Sequence, residues 1–286
     1  MGNGEVMSKV ALITGSTGFF GLYLTKSIQH TFNVVGLARH GADFCVDITN
    51  KSELSRVLNT VKPDVVFHLA AHSDVDYCEQ HPDEAYELNF LATENIISLI
   101  DRKTNIVFLS SIAVYPDTPG PHFENDAAPV NVYGETKFLA EQVIRKRQNH
   151  LIIRTSMFGK SLKEGRQSLS DFIIANGKSG ERLELFGDEL FSPLHAETLA
   201  DLISKAVSKG LKGTFNIGAS DGMTKAEFGL ATLDHFGISN SNVEIIASVK
   251  KIGRAKRGLD MRLNSDKLSA ALMSKMPSLK EEISKI

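Results

Sequence analysis

Short apolar runs alternate with longer amphipathic stretches along the first half of the chain. The runs are rich in strand-forming residues, and the stretches between them repeat apolar side chains with helical spacing. The runs occupy residues 10–14, 34–37, 65–69, 106–109 and 151–154, and the helical stretches occupy residues 21–30, 52–60, 84–100 and 132–147. Strands that are apolar throughout are typical of parallel sheets covered on both faces. The pattern therefore predicts an α/β fold, with a doubly wound parallel sheet between layers of helices.

The composition is that of an ordinary soluble globular protein. The chain has 286 residues, 42% of them hydrophobic and 23% charged, and a formal net charge of −2. This charge gives no electrostatic reason to expect nucleic acid or an anionic membrane as a partner. No apolar run is long enough to span a bilayer, and the two cysteines, Cys45 and Cys78, form no metal or disulfide pattern. We therefore expect a cytoplasmic protein without a metal.

A glycine-rich turn connects the first predicted strand to the first predicted helix. In its sequence, Thr14-Gly-Ser-Thr-Gly-Phe-Phe-Gly21, Gly15 would permit a tight turn and Gly18 would let the backbone approach a pyrophosphate. Gly21 would let the helix pack closely on the strand, and the free N–H groups of the helix N-terminus attract phosphate. The turn predicts a Rossmann domain that binds a dinucleotide. The residues expected to contact it here are Gly15, Thr17, Gly18, Phe19, Phe20 and Gly21.

Three polar residues further along the chain suggest the chemistry. Ser111 follows the strand at 106–109, and the C-terminal ends of parallel strands are where open α/β sheets bind ligands. Tyr133 and Lys137 lie four residues apart and would share one face of a helix. An ammonium held near a phenol favours the phenolate, so this tyrosine would exchange protons closer to neutrality. With the glycine turn, these residues predict hydride transfer.

The chain resembles the extended short-chain dehydrogenases/reductases that act on nucleotide sugars. The resemblance rests on segments 14–21, 47–49, 63–71, 110–115, 133–137 and 153–154. Segment 70–76, followed by Glu79, is most similar to dTDP-4-dehydrorhamnose reductases. The resemblance implies that Tyr133 donates a proton to the substrate carbonyl and that Ser111 polarises it. It also implies that Lys137 lowers the pKa of Tyr133 and binds the nicotinamide ribose.

The same resemblance implies further contacts with the cofactor. Two residues would flank the adenine, and three would run beneath the ribose. The first two are Asp47 and Ile48, and the three beneath the ribose are His68, Ala70 and Ala71. Leu69, in the same segment, is also expected to contact the cofactor. Asn89 matches an asparagine that the family places near the cofactor, and a purely structural role would explain it equally well.

The end of the second predicted strand bears on the choice between NAD and NADP. NAD-specific sites usually carry an acidic residue there for the ribose hydroxyls. Here the strand ends Ala38-Arg39-His40, and the next carboxylate is Asp43. The planar guanidinium of Arg39 would pair with a 2′-phosphate. We therefore expect NADP as the cofactor, with NAD as the alternative.

Four residues are predicted to contact the substrate. Besides Ser111, these are His72, which follows the strand at 65–69, and Arg154, which ends the strand at 151–154. The fourth is Arg257, which matches the arginine of a family segment Arg-Pro-x-Asp, although Gly258 replaces the proline. Histidines and acids between residues 72 and 81 would also suit a metal, but a capped helix start before Pro82 explains them without one.

The alternation of strands and helices becomes irregular after residue 158, which suggests a second lobe. We predict a flexible leader at residues 1–8, an NAD(P)-binding Rossmann domain at 9–158, and a smaller α/β substrate-binding lobe at 159–193 and 219–286. A helix and a strand within 194–218 are expected to return to the main sheet. Helices at 84–100 and 132–147 form a homodimer interface in many members of the resembled family.

The predicted function is NAD(P)H-dependent reduction of a 4-keto nucleotide sugar by Ser111, Tyr133 and Lys137. Ile112 and Ala113 follow the serine, where sugar dehydratases carry acids and GDP-fucose synthases carry a cysteine. A nucleotide-sugar 4-epimerase, which needs only the same three residues and a bound NAD, remains an alternative. A second alternative is a non-catalytic NADP-binding regulatory subunit, because such a subunit of methionine adenosyltransferase resembles the same subfamily.

Overall fold

A seven-stranded sheet, parallel at every pairing, forms the centre of the fold. The computed structural model describes residues 9–163 and 165–286, so the predicted leader at residues 1–8 lies outside the described residues. The strands of this sheet are β1 (Val10–Thr14), β2 (Asn33–Ala38), β3 (Phe44–Cys45), β4 (Val65–His68), β5 (Asn105–Leu109), β6 (His150–Thr155) and β11 (Gly213–Ile217). Their order, β11-β6-β5-β4-β1-β2-β3, places the switch point beside β1.

Helices cover both faces of this sheet. They are α1 (Phe19–Ile28), α2 (Lys51–Val61), α5 (Ala92–Leu99), α6 (Val132–Arg145) and α8 (Ala196–Ser208), while α3 (Val75–Gln80) and α4 (Pro82–Ala85) pack against α6. Apolar side chains of α1 and α8 pack together in one core, as Leu24 and Leu199 show. Those of α2, α5 and α6 form a second core, which contains Leu58, Ile96 and Ile144. These two layers confirm the predicted doubly wound α/β fold.

The predicted helix at 84–100 is interrupted in the structure. A π-helical segment, Tyr86–Leu91, joins α4 to α5 and contains Asn89. The wider turn of a π-helix changes the direction of the side chains within it, and such segments often occur at functional positions.

The remaining elements form a smaller lobe beside the C-terminal edge of the sheet. Its strands are β7 (Met157–Phe158), β8 (Leu183–Phe186), β9 (Leu190–Phe191), β10 (Leu194–His195), β12 (Met223–Thr224), β13 (Val243–Ile246) and β14 (Asp260–Met261), and its helices are α7 (Leu169–Ser179), α9 (Lys225–His235), α10 (Asp266–Leu272) and α11 (Leu279–Ile283). Strand β9 pairs with β12 and β14, which brings residues 190, 224 and 260 together. The intervening β11 leaves this lobe and pairs with β6 in the main sheet. None of the helices in the described part of the chain is long and apolar enough to cross a membrane.

Candidate active site

A cleft of about 610 Å³ opens at the C-terminal ends of the central strands. The glycine turn and the residues that follow β2, β4 and β5 form one wall, and α6 and the smaller lobe form the other. This volume and this position at the switch point are typical of a small-molecule site in an α/β protein. The cofactor residues predicted from the sequence that line the cleft are Gly15, Thr17, Gly18, Phe19, Phe20, Gly21, Arg39, Asp47, Ile48, Leu69, Ala70 and Ala71.

The backbone of the glycine turn fits the phosphates of a dinucleotide. Gly15 has a φ of +72°, and a Cβ on this residue would lie 2.9 Å from the backbone nitrogen of Ala70. A Cβ on Gly21 would lie 2.4 Å from the carbonyl oxygen of Gly15. Helix α1 begins after Gly18, and no side chain caps its N-terminus. Donors for an anionic ligand are therefore present at this helix N-terminus.

The end of β2 presents a cation to the cleft. Arg39 and His40 line the cleft and are exposed. Asp43 is engaged elsewhere, because its Oδ2 accepts a hydrogen bond from the backbone N–H of Gly36 at 2.7 Å. Arg39 therefore lines the cleft and Asp43 does not, and a guanidinium in this wall suits a phosphate.

Ser111, Tyr133 and Lys137 all line this cleft. Ser111 follows β5 and caps a short 3₁₀ turn, Ile112–Val114, through a 3.1 Å hydrogen bond from the N–H of Ala113 to its Oγ. Helix α6, which carries the other two residues, begins after Asn131, whose side chain accepts a hydrogen bond from the N–H of Gly134 at 2.8 Å. The ends of β5 and α6 therefore bring the three residues to one place.

Burial dominates the proton affinity of this tyrosine and this lysine. It raises the pKa of Tyr133 to about 12, and the neighbouring Ser111 hydroxyl acts in the opposite direction. Burial lowers the pKa of Lys137 to about 7, against the field of Glu141, which raises it. Burial therefore outweighs the other influences on the pKa of Tyr133 in this structure, and the lowering of that pKa by Lys137 stays a prediction. Tyr133 is a protonated phenol at neutral pH, the form that donates a proton.

Gly134 is a feature of the site that the sequence motifs did not reveal. A Cβ on this residue would lie 2.0 Å from the carbonyl oxygen of Ala113, so α6 packs backbone against backbone on the turn after Ser111. Only glycine allows this approach, which sets how close Tyr133 lies to Ser111. A glycine inside a helix is the available sequence signal, because it destabilises the helix and usually marks a close contact.

A chain of hydrogen bonds runs through His68, the last residue of β4. Thr14 Oγ1 accepts from the N–H groups of residues 69 and 70 at 3.2 and 3.3 Å, so its proton points to His68 Nδ1 at 2.7 Å. Thr93 Oγ1 donates to the carbonyl of Asn89 at 2.9 Å and so accepts from His68 Nε2, also at 2.9 Å. These directions require a neutral ring with its proton on Nε2. Burial lowers the pKa of His68 to about 3, which agrees with that form.

Asn89 supports the cleft from behind rather than lining it. Its side chain accepts from the N–H of His72 at 2.8 Å and donates to the carbonyl of His72 and to Thr136 Oγ1, each at 3.1 Å. Asn89 is also buried. These bonds use its amide fully, so the structure favours the structural role over the predicted cofactor contact.

The predicted substrate residues divide into those that line the cleft and those that do not. Ser111 and Arg257 line it. The ring of His72 lies beside Tyr77, 5.3 Å between ring centroids, and is not part of the cleft wall. Arg154 is fully buried, and its guanidinium forms an ion pair with Glu141 at 2.6 Å. The prediction that Arg154 binds substrate is therefore wrong, because its charge is already paired inside the protein.

Further cations line the cleft and were missed by the sequence motifs. They are Lys163, Arg166 and Lys225. Glu189, in the same wall, pairs with Lys225 and with Arg254, and Arg257 donates to Asp76 at 2.8 Å. These residues come from distant parts of the chain, so no local pattern links them. Within residues 9–163 and 165–286, no group of three or more histidine, cysteine or acidic side chains is placed to hold a metal ion.

We expect His68 to make the protein sensitive to acid. Its folded pKa of about 3 lies below the unfolded value of 6.5, so the unfolded chain binds more protons between these values and stability falls as the pH drops below 6.5. Lowering the pH from about 7.5 to about 5 should reduce the free energy of unfolding by about 2 kcal/mol through this residue alone. Urea unfolding of wild type and His68→Gln at both pH values measures the difference.

His30→Gln is the matched control, because His30 is exposed in the turn that follows α1. Between the two pH values, the free energy of unfolding of His30→Gln should fall by as much as that of wild type. In His68→Gln the decrease should be smaller by about 2 kcal/mol. An equal loss in all three proteins would show that His68 is not held neutral in the folded state.

Comparison with known proteins extends over almost the whole chain. A model of the RmlD substrate binding domain matches residues 9–286. The dTDP-4-dehydrorhamnose reductase of Shigella flexneri is 32% identical over 204 residues, which are 68% of this chain and 66% of that protein. Methionine adenosyltransferase 2 subunit beta of Mus musculus is 26% identical over 92% of this chain and 83% of its own length.

A solved structure shares the fold described above. The dTDP-4-dehydrorhamnose reductase of Bacillus anthracis, in complex with NADP, superposes with a TM-score of 0.89 over 97% of this chain and 98% of its own, at 23% sequence identity. The family model, which matches all but the first eight residues, is the decisive comparison. The chain belongs to the RmlD substrate binding domain family.

Proposed function

We propose that the protein is an NADP-dependent oxidoreductase that reduces a 4-keto nucleotide sugar, with the substrate of dTDP-4-dehydrorhamnose reductase as the first candidate. The observation that carries the proposal is a single cleft that contains both the glycine turn and Ser111, Tyr133 and Lys137. The Shigella relative is named for this activity, and the Bacillus anthracis structure contains NADP. Both facts support the same chemistry for this chain.

The residues of the cleft suit each requirement of carbonyl reduction. NADPH, when bound, supplies a hydride to the carbonyl carbon. The uncapped N-terminus of α1, which begins after Gly18, would hold the pyrophosphate, and Lys137 would bind the ribose with its ammonium. Tyr133, a phenol in the free protein, would donate its proton to the carbonyl oxygen as hydride arrives at carbon. The Ser111 hydroxyl would orient and polarise that oxygen.

The cations that line the cleft beside the smaller lobe suit a nucleoside diphosphate, and we assign this half of the cleft to the substrate. Lys163, Arg166 and Lys225 line this half together with Arg257. Phosphate oxygens accept charge-assisted hydrogen bonds from such groups, which are stronger than bonds between neutral groups. Phe191 and Met261 lie in the same wall and offer apolar surface to a base or a deoxysugar. A sugar without a diphosphate would offer no phosphate to Lys163 and Arg166, whereas Lys225 and Arg257 already form ion pairs with Glu189 and Asp76.

The direct test is to measure oxidation of NADPH and NADH with 4-keto-6-deoxy sugars carried on dTDP, GDP and UDP. We expect wild type to oxidise NADPH with at least one of them and to form the corresponding hydroxyl sugar. Interconversion of two sugars without net oxidation would instead identify an epimerase. If no sugar is changed although NADPH binds, the oxidoreductase proposal fails.

The last outcome would favour a regulatory subunit, which the likeness to methionine adenosyltransferase 2 subunit beta makes a specific second candidate. Such a subunit has no need of the phenol of Tyr133 or of the ammonium of Lys137. Its signature would be a binding partner whose activity changes equally with wild type and with a Tyr133→Phe variant.

We expect Arg39 to set the preference between the two cofactors. Arg39→Ser should raise KM for NADPH about tenfold and leave KM for NADH nearly unchanged, because only NADPH carries the 2′-phosphate. Arg39→Lys is the control, since it keeps the charge but loses the planar guanidinium. Its KM for NADPH should lie between those of wild type and Arg39→Ser. Steady-state kinetics with both cofactors measures this, and equal changes in both KM values would show that Arg39 does not meet the 2′ position.

A further inference from the structure

A buried carboxylate lies one helical turn beyond Lys137. Glu141, in α6, is fully buried and accepts hydrogen bonds from three side chains. Ser110 Oγ donates to its Oε1 at 2.6 Å, and Arg154 donates to both oxygens at 2.9 and 2.6 Å. Arg145 donates to Oε2 at 3.0 Å. A buried carboxylate is stable only when it is paired in this way, so the site is built around its charge.

These partners connect α6 to the ends of three strands. Ser110 follows β5 directly and precedes Ser111 in the chain. Arg154, in β6, also donates to the hydroxyl of Tyr115 at 3.1 Å, and Tyr115 in turn donates to Asn216 in β11. One network therefore links the helix that carries Tyr133 and Lys137 to the strand end that carries Ser111.

We propose that Glu141 is a positioning residue of the active site, which fixes Ser111 through Ser110 and holds Lys137 in its ammonium form. The proposal rests on the oxidoreductase function proposed above. No sequence motif pointed to Glu141, because its partners lie in other elements of the fold.

The surroundings of Lys137 explain why its charge needs support. Its Nζ lies 4.0 Å from the centroid of the Phe108 ring in β5. Among the titratable groups around it, His68 in β4 is neutral, and Tyr133, one turn earlier on the same helix, is a protonated phenol. Glu141, one turn later, is paired with Arg154 from β6. Burial lowers the pKa of Lys137 to about 7, and Glu141 acts against this. Without the carboxylate, the ammonium would lose its proton at a lower pH.

The charge is tested with Glu141→Gln, which keeps the shape of the side chain. The ammonium form is lost as the pH rises, so both kcat/KM for NADPH oxidation and the affinity for NADPH should fall above a midpoint. We expect that midpoint to lie about one pH unit lower in the variant than in wild type. Tyr115→Phe is the matched control, because it breaks the same network at its far end without removing a charge, and its midpoint should equal that of wild type. A wild-type midpoint in Glu141→Gln would overturn the proposal.

The positioning is tested separately with Ser110→Ala, which retains the carboxylate and removes the link to Ser111. We expect kcat to fall about tenfold with little change in KM, because a small displacement of a catalytic group lowers the rate without weakening binding. The pH midpoint should not move. A wild-type kcat in this variant would show that the link through Ser110 has no effect on the site.

Two further measurements keep the outcomes distinct. If Glu141→Gln does not fold, the double variant Glu141→Gln/Arg154→Met removes both charges of the buried pair together, a change that proteins often tolerate. Because the Arg154 guanidinium itself opposes the ammonium of Lys137, the midpoint of this variant should lie below that of wild type by less than the one pH unit expected for Glu141→Gln. The affinity for NADPH, followed by its fluorescence, does not depend on turnover. If the midpoint of NADPH binding shifts but wild type reduces no sugar, the positioning role of Glu141 is supported and the oxidoreductase function is refuted. If wild type reduces a sugar but the midpoint does not shift, the oxidoreductase function is supported and the role of Glu141 is refuted. Failure of wild type to bind NADPH at any pH would refute both.

Discussion

Tyr133→Phe should lower kcat for sugar reduction about 10³-fold and leave the affinity for NADPH within about threefold of wild type. The variant removes the one hydroxyl proposed to protonate the substrate oxygen and keeps the ring that fills the cleft wall. Burial raises the pKa of this phenol to about 12 in the free protein, so the tyrosine is ready to donate a proton rather than to accept one. Stopped-flow measurement of NADPH oxidation tests the loss of kcat, and titration with NADPH tests the unchanged affinity.

Tyr115→Phe is a control from the same cleft. Tyr115 is also buried and lines the cleft, but its hydroxyl is occupied by Asn216 and Arg154 inside the protein. Its loss should reduce kcat less than about tenfold, since it affects only the support of the site. Comparable losses in the two variants would mean that the Tyr133 hydroxyl is not the proton donor.

The central sheet could be predicted because its strands are apolar on both faces. Strand β1 matched its predicted bounds, and the strands near residues 65 and 151 differed by a residue at their ends. The strands of the smaller lobe could not be predicted in this way, because β9, β12 and β14 contain only two residues each. Their pairing depends on contacts between distant residues, and a two-residue strand has no period to detect.

The helix at 84–100 shows a second limit of periodicity. Its apolar spacing predicts a continuous α-helix, yet residues 86–91 form a π-helical segment. The buried amide of Asn89 bonds to both backbone groups of His72. We attribute the wider turn to these tertiary bonds, which periodicity cannot reveal.

The parts of the site that lie in local motifs were predictable, and the parts that depend on pairing across the fold were not. Gly15, Ser111 and Tyr133 line the cleft because a turn, a strand end and a helix start each place them there. Arg154 also lies near the end of a strand, but its guanidinium is paired with the carboxylate of Glu141 from α6. Nothing near either residue in the sequence indicates that they meet.

Gly134→Ala should lower kcat about 100-fold, although Gly134 has no side chain to contribute to the reaction. The new Cβ would lie 2.0 Å from the carbonyl oxygen of Ala113, so α6 and the turn after Ser111 must separate. A displacement of about 1 Å between catalytic groups is enough for a loss of this size. The strain should also lower the free energy of unfolding by about 1–3 kcal/mol, because the gain in helix propensity of about 1 kcal/mol does not offset it.

Gly229→Ala separates this effect from the general consequence of replacing a helical glycine. Gly229 lies in α9 of the smaller lobe, and the three atoms nearest to its added Cβ all belong to the side chain of Leu185, with Cδ1 at 2.4 Å. That side chain can rotate away, whereas the backbone oxygen that faces Gly134 cannot. We therefore expect wild-type kcat in Gly229→Ala and a large loss in Gly134→Ala, measured beside urea unfolding of both. If Gly134→Ala is folded and retains full kcat, the close packing of α6 on the turn after Ser111 does not set the geometry of the active site.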